Sequence, residues 1–242
     1  MIANQKLVDR VTESPVNNLS ESDREEMYHL LSAHFDGVHS VQFNRDLDEK
    51  HWVLRVRRGN ELVGFSTVQA YRTKWAGQGI NVINSGDTIM APKAWGSAAL
   101  ARGWIGMVRR IIRGMPEGPV YWLLLSAGFR TYRFLPVFWR RFWPHHADAM
   151  SAEILALRDR LAKERFGQQF DPQTGVVRFE NPQRLKPILA EVAEGRKCDP
   201  HVAFFLQSNP GWREGDELVC LTELGDANLT KAGVRVVEGL PW

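Results

Sequence analysis

From Ile80 to Met115 the chain runs through an extended segment, a short loop of small residues and a long basic helix, and this succession constrains the fold most. Ile80-Asn81-Val82-Ile83-Asn84-Ser85-Gly86-Asp87-Thr88-Ile89-Met90 reads as a strand, Ala91-Pro92-Lys93-Ala94-Trp95-Gly96-Ser97 as the loop, and Ala98 to about Met115 as the helix. Within that helix Ala101, Trp104, Ile105, Val108, Ile111, Ile112 and Met115 form one apolar stripe, with Arg102, Arg109 and Arg113 opposite. Gly114 and Pro116 stop it. The apolar run Val120-Tyr121-Trp122-Leu123-Leu124-Leu125 is short enough for a buried central strand. Strand, helix and strand in this order are expected to place the two strands in parallel, through a right-handed crossover. A helix starting after a Gly-Ser turn exposes unpaired N–H groups and a positive dipole end, a ready site for phosphate or pyrophosphate. An ordinary strand-turn-helix that binds nothing is the alternative.

The flanking sequence supplies the rest of a mixed sheet. Residues 1–18 form a lead-in, mobile or strand-forming. Ser20 and Asp23 then suit a capping box for a helix carrying Met27, Leu30, Leu31 and His34 at core spacing, with Gly37 ending it. Phe43 to Lys50 suits a second short helix. Trp52–Arg58, a Gly59-Asn60 turn and Glu61–Tyr71 read as a hairpin, and a loop containing Lys74–Gly79 leads to the third strand. Gly128 to Phe142 reads as a helix that Pro136 kinks or splits. Residues 151–197 read as helical at both ends, through Leu155, Leu157 and Leu161 and then Leu185, Ile188, Leu189 and Val192, around a short strand at Gly175–Phe179. His201–Leu206 and Glu217–Leu221 are predicted to be a final strand pair. The predicted class is α/β in the mixed α+β sense, one domain over 1–242 with a helical insertion at 145–200 before the last strand pair.

Composition narrows the function classes. No run approaches membrane-spanning length and the first residues lack an apolar signal core, so a cytoplasmic protein is expected. Cys198 and Cys220 have no metal-ligand spacing and read as thiols in a reducing compartment. Net charge is only +3, yet from Lys93 to Trp143 nine cations face one anion, Glu117, a local excess of eight. Such a stretch attracts a phosphate-rich cofactor, an acyl carrier protein, an anionic lipid or nucleic acid, unless it is simply a solvated face. Ser-His-Asp elbow, P-loop and zinc spacings are absent from the sequence.

The order of predicted elements resembles the GNAT (Gcn5-related N-acetyltransferase) superfamily over roughly residues 19–143 and 201–224. Gly64-Phe65 looks like the family's return-strand motif, and Ile89-Met90-Ala91-Pro92 with Gly96 and Leu100 looks like its strand end, proline, glycine turn and helix-facing leucine. The family's pyrophosphate loop carries an arginine or glutamine and two glycines spaced one apart; this chain has only Gly96, followed by Ser97-Ala98-Ala99. The resemblance implies an acyltransferase without a metal, whose thioester donor is acyl-CoA or an acyl-phosphopantetheine on acyl carrier protein, and whose acceptor is a small amine. Nucleic acid is not the expected partner; peripheral membrane contact stays open. The alternative function is a non-catalytic GNAT-like protein docking on a membrane or acidic protein through its basic aromatic helices, among them the Leu135–Pro144 segment, where arginine and aromatic residues are closely mixed. A buried helix with arginines reaching outward is the plainer account of that segment.

Site residues follow from the resemblance and from residue chemistry. Ile89, Met90, Lys93, Gly96, Ser97 and Ala98 are expected to bind the donor, a backbone N–H of Ile89 or Met90 polarising the thioester carbonyl. Tyr132 matches the family's thiolate-protonating tyrosine, and Arg130 and Arg133 beside it would lower its pKa; a core aromatic is the alternative. Asp87, a lone carboxylate in an otherwise buried strand, is the candidate general base, or else an arginine partner. Ser126, Arg130 and His34 are candidate substrate contacts, with His39 close by. Ser126 would otherwise cap a helix, and His34 would be a hydrogen-bonded core histidine.

Overall fold

The computed structural model describes residues 9–239. Residues 1–8 of the lead-in lie outside that range. In chain order come β1 (Asp9–Pro15), α1 (Glu21–His34), β2 (Phe35–Asp36) and α2 (Ser40–Asp48). A meander follows: β3 (Trp52–Arg58), β4 (Glu61–Trp75) and β5 (Gln78–Met90). Next are α3 (Ala99–Arg113), β6 (Val120–Ser126), α4 (Phe129–Tyr132) and α5 (Phe134–Phe138). The remainder holds α6 (Ala152–Phe166), β7 (Phe170–Asp171), β8 (Val176–Val177), β9 (Arg184–Leu185), α7 (Glu194–Lys197), α8 (Pro200–Ser208), β10 (Glu217–Glu223) and α9 (Lys231–Glu238).

One eight-stranded sheet, in the order β1-β3-β4-β5-β6-β10-β8-β7, carries the fold, and β2 pairs with β9 as a separate ribbon. Every adjacent pair in the large sheet is antiparallel except β5 with β6, which run in parallel as the intervening helix requires. The observed class is thus the expected one, a central mixed sheet flanked by helices. One core lies between the sheet and α3, through Leu54, Ile83, Trp104, Val108 and Trp122. A second joins the sheet to α1 and α2 through Met27, Leu31, Phe43 and Phe65. A third joins it to α6 through Val82, Leu123, Leu157 and Leu161.

Local chemistry explains most of these elements. The capping box forms as expected: Ser20 Oγ accepts from the Asp23 N–H, and the Asp23 carboxylate accepts from the Ser20 N–H. The expected loop at 74–79 is instead a two-residue hairpin turn. Ala76 and Gly77 both take positive φ, which extends β4 and β5 by several residues. The helix expected over 128–142 divides at Arg133, into α4 and α5, with Pro136 inside α5. Two assignments need correcting. His201–Leu206 lies in a helix, because Asp199 caps it by accepting from the His201 and Val202 N–H groups and Pro200 occupies its first position. The expected pairing of that segment with Glu217–Leu221 is therefore absent, and β10 pairs with β6 and β8. The second half of 151–197 is not the expected helix: Leu185 lies in β9, and the chain turns at Lys186–Ala190, where Pro187 lacks an N–H and Ile188 is exposed.

The feature that places the site is a bulge in β5. Ser66 pairs with Thr88 and Val68 with Ser85, so Gly86 and Asp87 together oppose the single residue Thr67. The space there is tight. A Cβ on Gly86 would lie 2.5 Å from Thr67 Oγ1 and 2.6 Å from Lys50 Cε. Gly86→Ala is expected to lose about 1–3 kcal/mol, the usual cost of overpacking, in urea denaturation. Adding Thr67→Ala is expected to recover part of that loss; an equal or larger loss in the double variant would contradict the contact.

Candidate functional site

Parallel pairing of β5 with β6 covers only five residue pairs, from Asn81 with Val120 to Ser85 with Leu124. Beyond Ser85 the bulge carries β5 along β4 alone, while β6 continues along β10. The two neighbours therefore part, and a cleft of about 740 Å³ opens on that wedge. Thr88, Ile89 and Met90 line one side, Ala127 to Thr131 the other, and Gly96, Ser97 and Ala98 at the head of α3 close one end.

The wedge exposes backbone donors. The Ala91 N–H donates to the Val63 carbonyl at 2.8 Å, so Met90 and Gly64 form a non-hydrogen-bonded pair and the Met90 N–H points away from β4, into the cleft. The neighbouring Ile89 N–H is turned to β4. Of the two expected oxyanion donors, Met90 is thus the one available. The Met90 carbonyl accepts the Trp95 indole N–H at 2.7 Å, which pins the loop that follows. At the head of α3, Ser97 Oγ accepts from the Ala99 N–H and also hydrogen-bonds Asp9. A Cβ placed on Gly96 would meet no described atom within 4 Å, so the corner is open.

Charge and shape divide this cleft. The Arg130 guanidinium stacks on Trp95 at 4.2 Å and on Phe129 at 4.7 Å, and donates to the Leu189 carbonyl at 2.6 Å. Arg196 also lines the cleft, and neither arginine has an acidic partner among the described residues. Burial, and to a lesser degree repulsion from Arg196, lowers the Arg130 pKa. The interior is apolar: Trp104 and Trp122 lie 4.2 Å apart between ring centres, with Phe134 edge-on to both. His34 completes the wall. Its Nδ1 lies 2.7 Å from the Leu30 carbonyl and donates to it, and its buried Nε2 has no partner among the described residues.

Asp87 does not line this cleft; the bulge sets it in a polar cluster with Lys50, Asp46 and Glu217. Lys50 is buried over Gly86 and donates to the Asp46 carbonyl at 3.1 Å. Burial pushes the Asp87 carboxyl up to about 6, against the attraction of Lys50. Burial and the Asp87 charge push Glu217 up to about 8. Near neutral pH this gives one ionised and one protonated carboxyl at the same end of the sheet, the arrangement that separates acid and base roles.

Several expected positions stand elsewhere. Tyr132 is fully buried, outside the cleft, and its hydroxyl donates to the Pro144 carbonyl at 2.8 Å. Burial raises its pKa instead of lowering it, since Arg130 is engaged with Trp95 and Arg133 is paired with Asp199 at 3.0 Å. Ser126 is buried with its hydroxyl 3.7 Å from Cys220 Sγ, not at the cleft. Lys93 is drawn away by Glu61. His39 is exposed ahead of α2, while Ile89, Met90, Gly96, Ser97, Ala98, His34 and Arg130 do share the cleft. The Leu135–Pro144 segment offers no continuous aromatic surface, because Leu135, Trp139 and Phe142 are buried. Distant acids also offset the local positive charge: Arg109 pairs with Asp226 and Arg110 with Glu13. Sequence reasoning missed Lys50, Trp95, Arg196 and Glu217. The argument that singled out Asp87, a lone carboxylate at an apolar strand, applies equally to Glu217 ahead of Leu218–Leu221.

No protein-family model and no curated protein matches the sequence. Among solved structures the chain is similar to a probable N-acyltransferase of Enterococcus faecalis V583, at 12% identity and a TM-score of 0.41, over 52% of this chain but only 31% of that one. It is similar to Escherichia coli ElaA at 16% identity and a TM-score of 0.36, over 52% of this chain and 84% of that one. It is also similar to Arabidopsis thaliana NAA60 in complex with a bisubstrate analogue, at 15% identity and a TM-score of 0.40, over 60% and 92%.

The carboxyl cluster has a measurable consequence. Asp87 and Glu217 hold protons more tightly when folded than the roughly 4 of an unfolded carboxylate, so the folded state binds more protons and loses stability as pH rises through about 6 and about 8. Urea midpoints are expected to fall between about pH 5 and pH 8. Glu217→Gln is expected to flatten the upper part of that fall and to be the more stable protein at pH 8. Parallel curves for the two proteins would remove Glu217 from the account.

Proposed function

We propose that this chain is an acyltransferase that moves an acyl group from a thioester donor, acyl-CoA or acyl carrier protein, to a small amine. The Met90 N–H carries the proposal: a backbone donor turned away from β4 where β5 parts from β6, facing a cleft bounded by the head of α3. A thioester carbonyl lying against it would receive the hydrogen bond that strengthens as the oxyanion develops. Arg130, Arg196 and the first-turn N–H groups of α3 would take the donor's phosphates, and the Trp104–Trp122 floor suits an acyl chain longer than acetyl.

Attack by the amine forms the new C–N bond, the tetrahedral intermediate collapses and the C–S bond breaks. Asp87 and Glu217 stand outside this cleft, so no side-chain base is assigned and the ammonium proton passes to solvent. With Tyr132 held by Pro144, no tyrosine acid is assigned. A thiolate whose conjugate acid has a pKa of about 8.5 leaves without one at neutral pH and above.

Thermal melting with acetyl-CoA, a long-chain acyl-CoA and an acylated carrier protein tests the donor, and at least one should raise the melting temperature. With the responsive donor, Arg130→Ala is expected to weaken donor Kd by about tenfold or more, while Asp87→Asn should leave turnover largely unchanged. Tyr132→Phe should retain most of its turnover. Absence of any shift with all three donors would end the transferase reading.

A further inference from the structure

Away from the cleft, His145, His146 and His201 converge. The first two follow Pro144 in the stretch after α5, and the third is the second residue of α8, fixed there by the Asp199 cap and Pro200. Their ring centres lie 4.5 Å apart for His145–His146, 5.4 Å for His145–His201 and 4.5 Å for His146–His201. One ring nitrogen from each lies within 4.8 Å of the other two. Three imidazoles bound tetrahedrally to zinc, at about 2 Å per Zn–N bond, hold their ring centres about 5 Å apart. The rings already stand near that spacing.

We propose that His145, His146 and His201 form a binding site for one divalent cation of the zinc class. All three donors are imidazoles, a set suited to zinc, cobalt, nickel or copper and unsuited to magnesium or calcium, which take oxygen ligands. Asp148 Oδ2 lies 3.3 Å from His145 Nδ1, on the edge of the same cluster. The Ala147 and Asp148 N–H groups donate to the same Nδ1, at 3.1 and 3.2 Å, so this nitrogen carries the lone pair. Phe142 packs edge-on to His145, at 4.8 Å, and also lies against His201, at 5.9 Å. His201 Nδ1 is buried with no hydrogen-bond partner among the described residues, a cost that a bound cation or its water resolves.

The ion would tie the Pro144–Ala147 stretch to the head of α8, so its role is to fasten structure. The proposal does not rest on acyl transfer. The test uses the full chain without an affinity tag, stripped with EDTA, then titrated separately with Co2+ by visible absorption and with Zn2+ by calorimetry. One ion per chain, a tetrahedral cobalt spectrum and a higher melting temperature with Zn2+ are expected, with no response to Mg2+. His146 is exposed, so His146→Ala should fold normally and bind at least about tenfold more weakly. His201→Ala should do the same, with its circular dichroism spectrum matching the parent. Failure of the parent chain to bind either ion stoichiometrically, or unchanged affinity in both variants, would overturn the site.

Discussion

The structure depends on one misregistered residue. Where two residues of β5 oppose one of β4, the strand bends and stops matching β6. A continuous ladder at this position would satisfy every amide and leave no room between the strands. The bulge instead frees the Met90 N–H on the cleft side and delivers Asp87 to Lys50 and Glu217. Gly86 makes this geometry affordable to the packing, because Thr67 and Lys50 occupy the volume that any side chain would need.

The divided sheet sorts its surroundings by chemistry. On the side of α3 the gap is floored by tryptophan and phenylalanine and rimmed by arginine, so apolar and cationic surfaces stand apart within it. The carboxylates are gathered apart from that cleft, where burial holds them close to neutrality. Separation of this kind prevents the arginines from simply pairing with the acids. It keeps the positive rim uncompensated and the carboxyl groups basic.

Elements with a local cause were legible in the sequence. The Ser20 box, the Trp52–Glu61 hairpin and the α3 stripe each depend on neighbours within a few residues, and each formed as expected. The topology around β5 and β6 was legible too, since a long helix between two strands leaves few alternatives. Tyr132 was not. Its environment comes from Pro144, Phe204 and Phe205, far along the chain, and no spacing encodes that it is sealed. His201–Leu206 was misassigned because a short apolar run fits either a strand or a buried helix, and only the Asp-Pro cap before it distinguishes them. Glu217 and Arg196 owe their significance to partners that the fold brings from other segments.

The sheet order also bears on how the chain emerges during synthesis. β6 is a largely apolar strand, and its outer neighbour, β10, begins at Glu217, some ninety residues after β6 ends. Until that late segment leaves the ribosome, Val120–Leu125 presents a bare hydrophobic edge of the kind other chains readily pair with. Nascent or truncated forms ending before Glu217 thus carry an aggregation hazard that the finished protein hides.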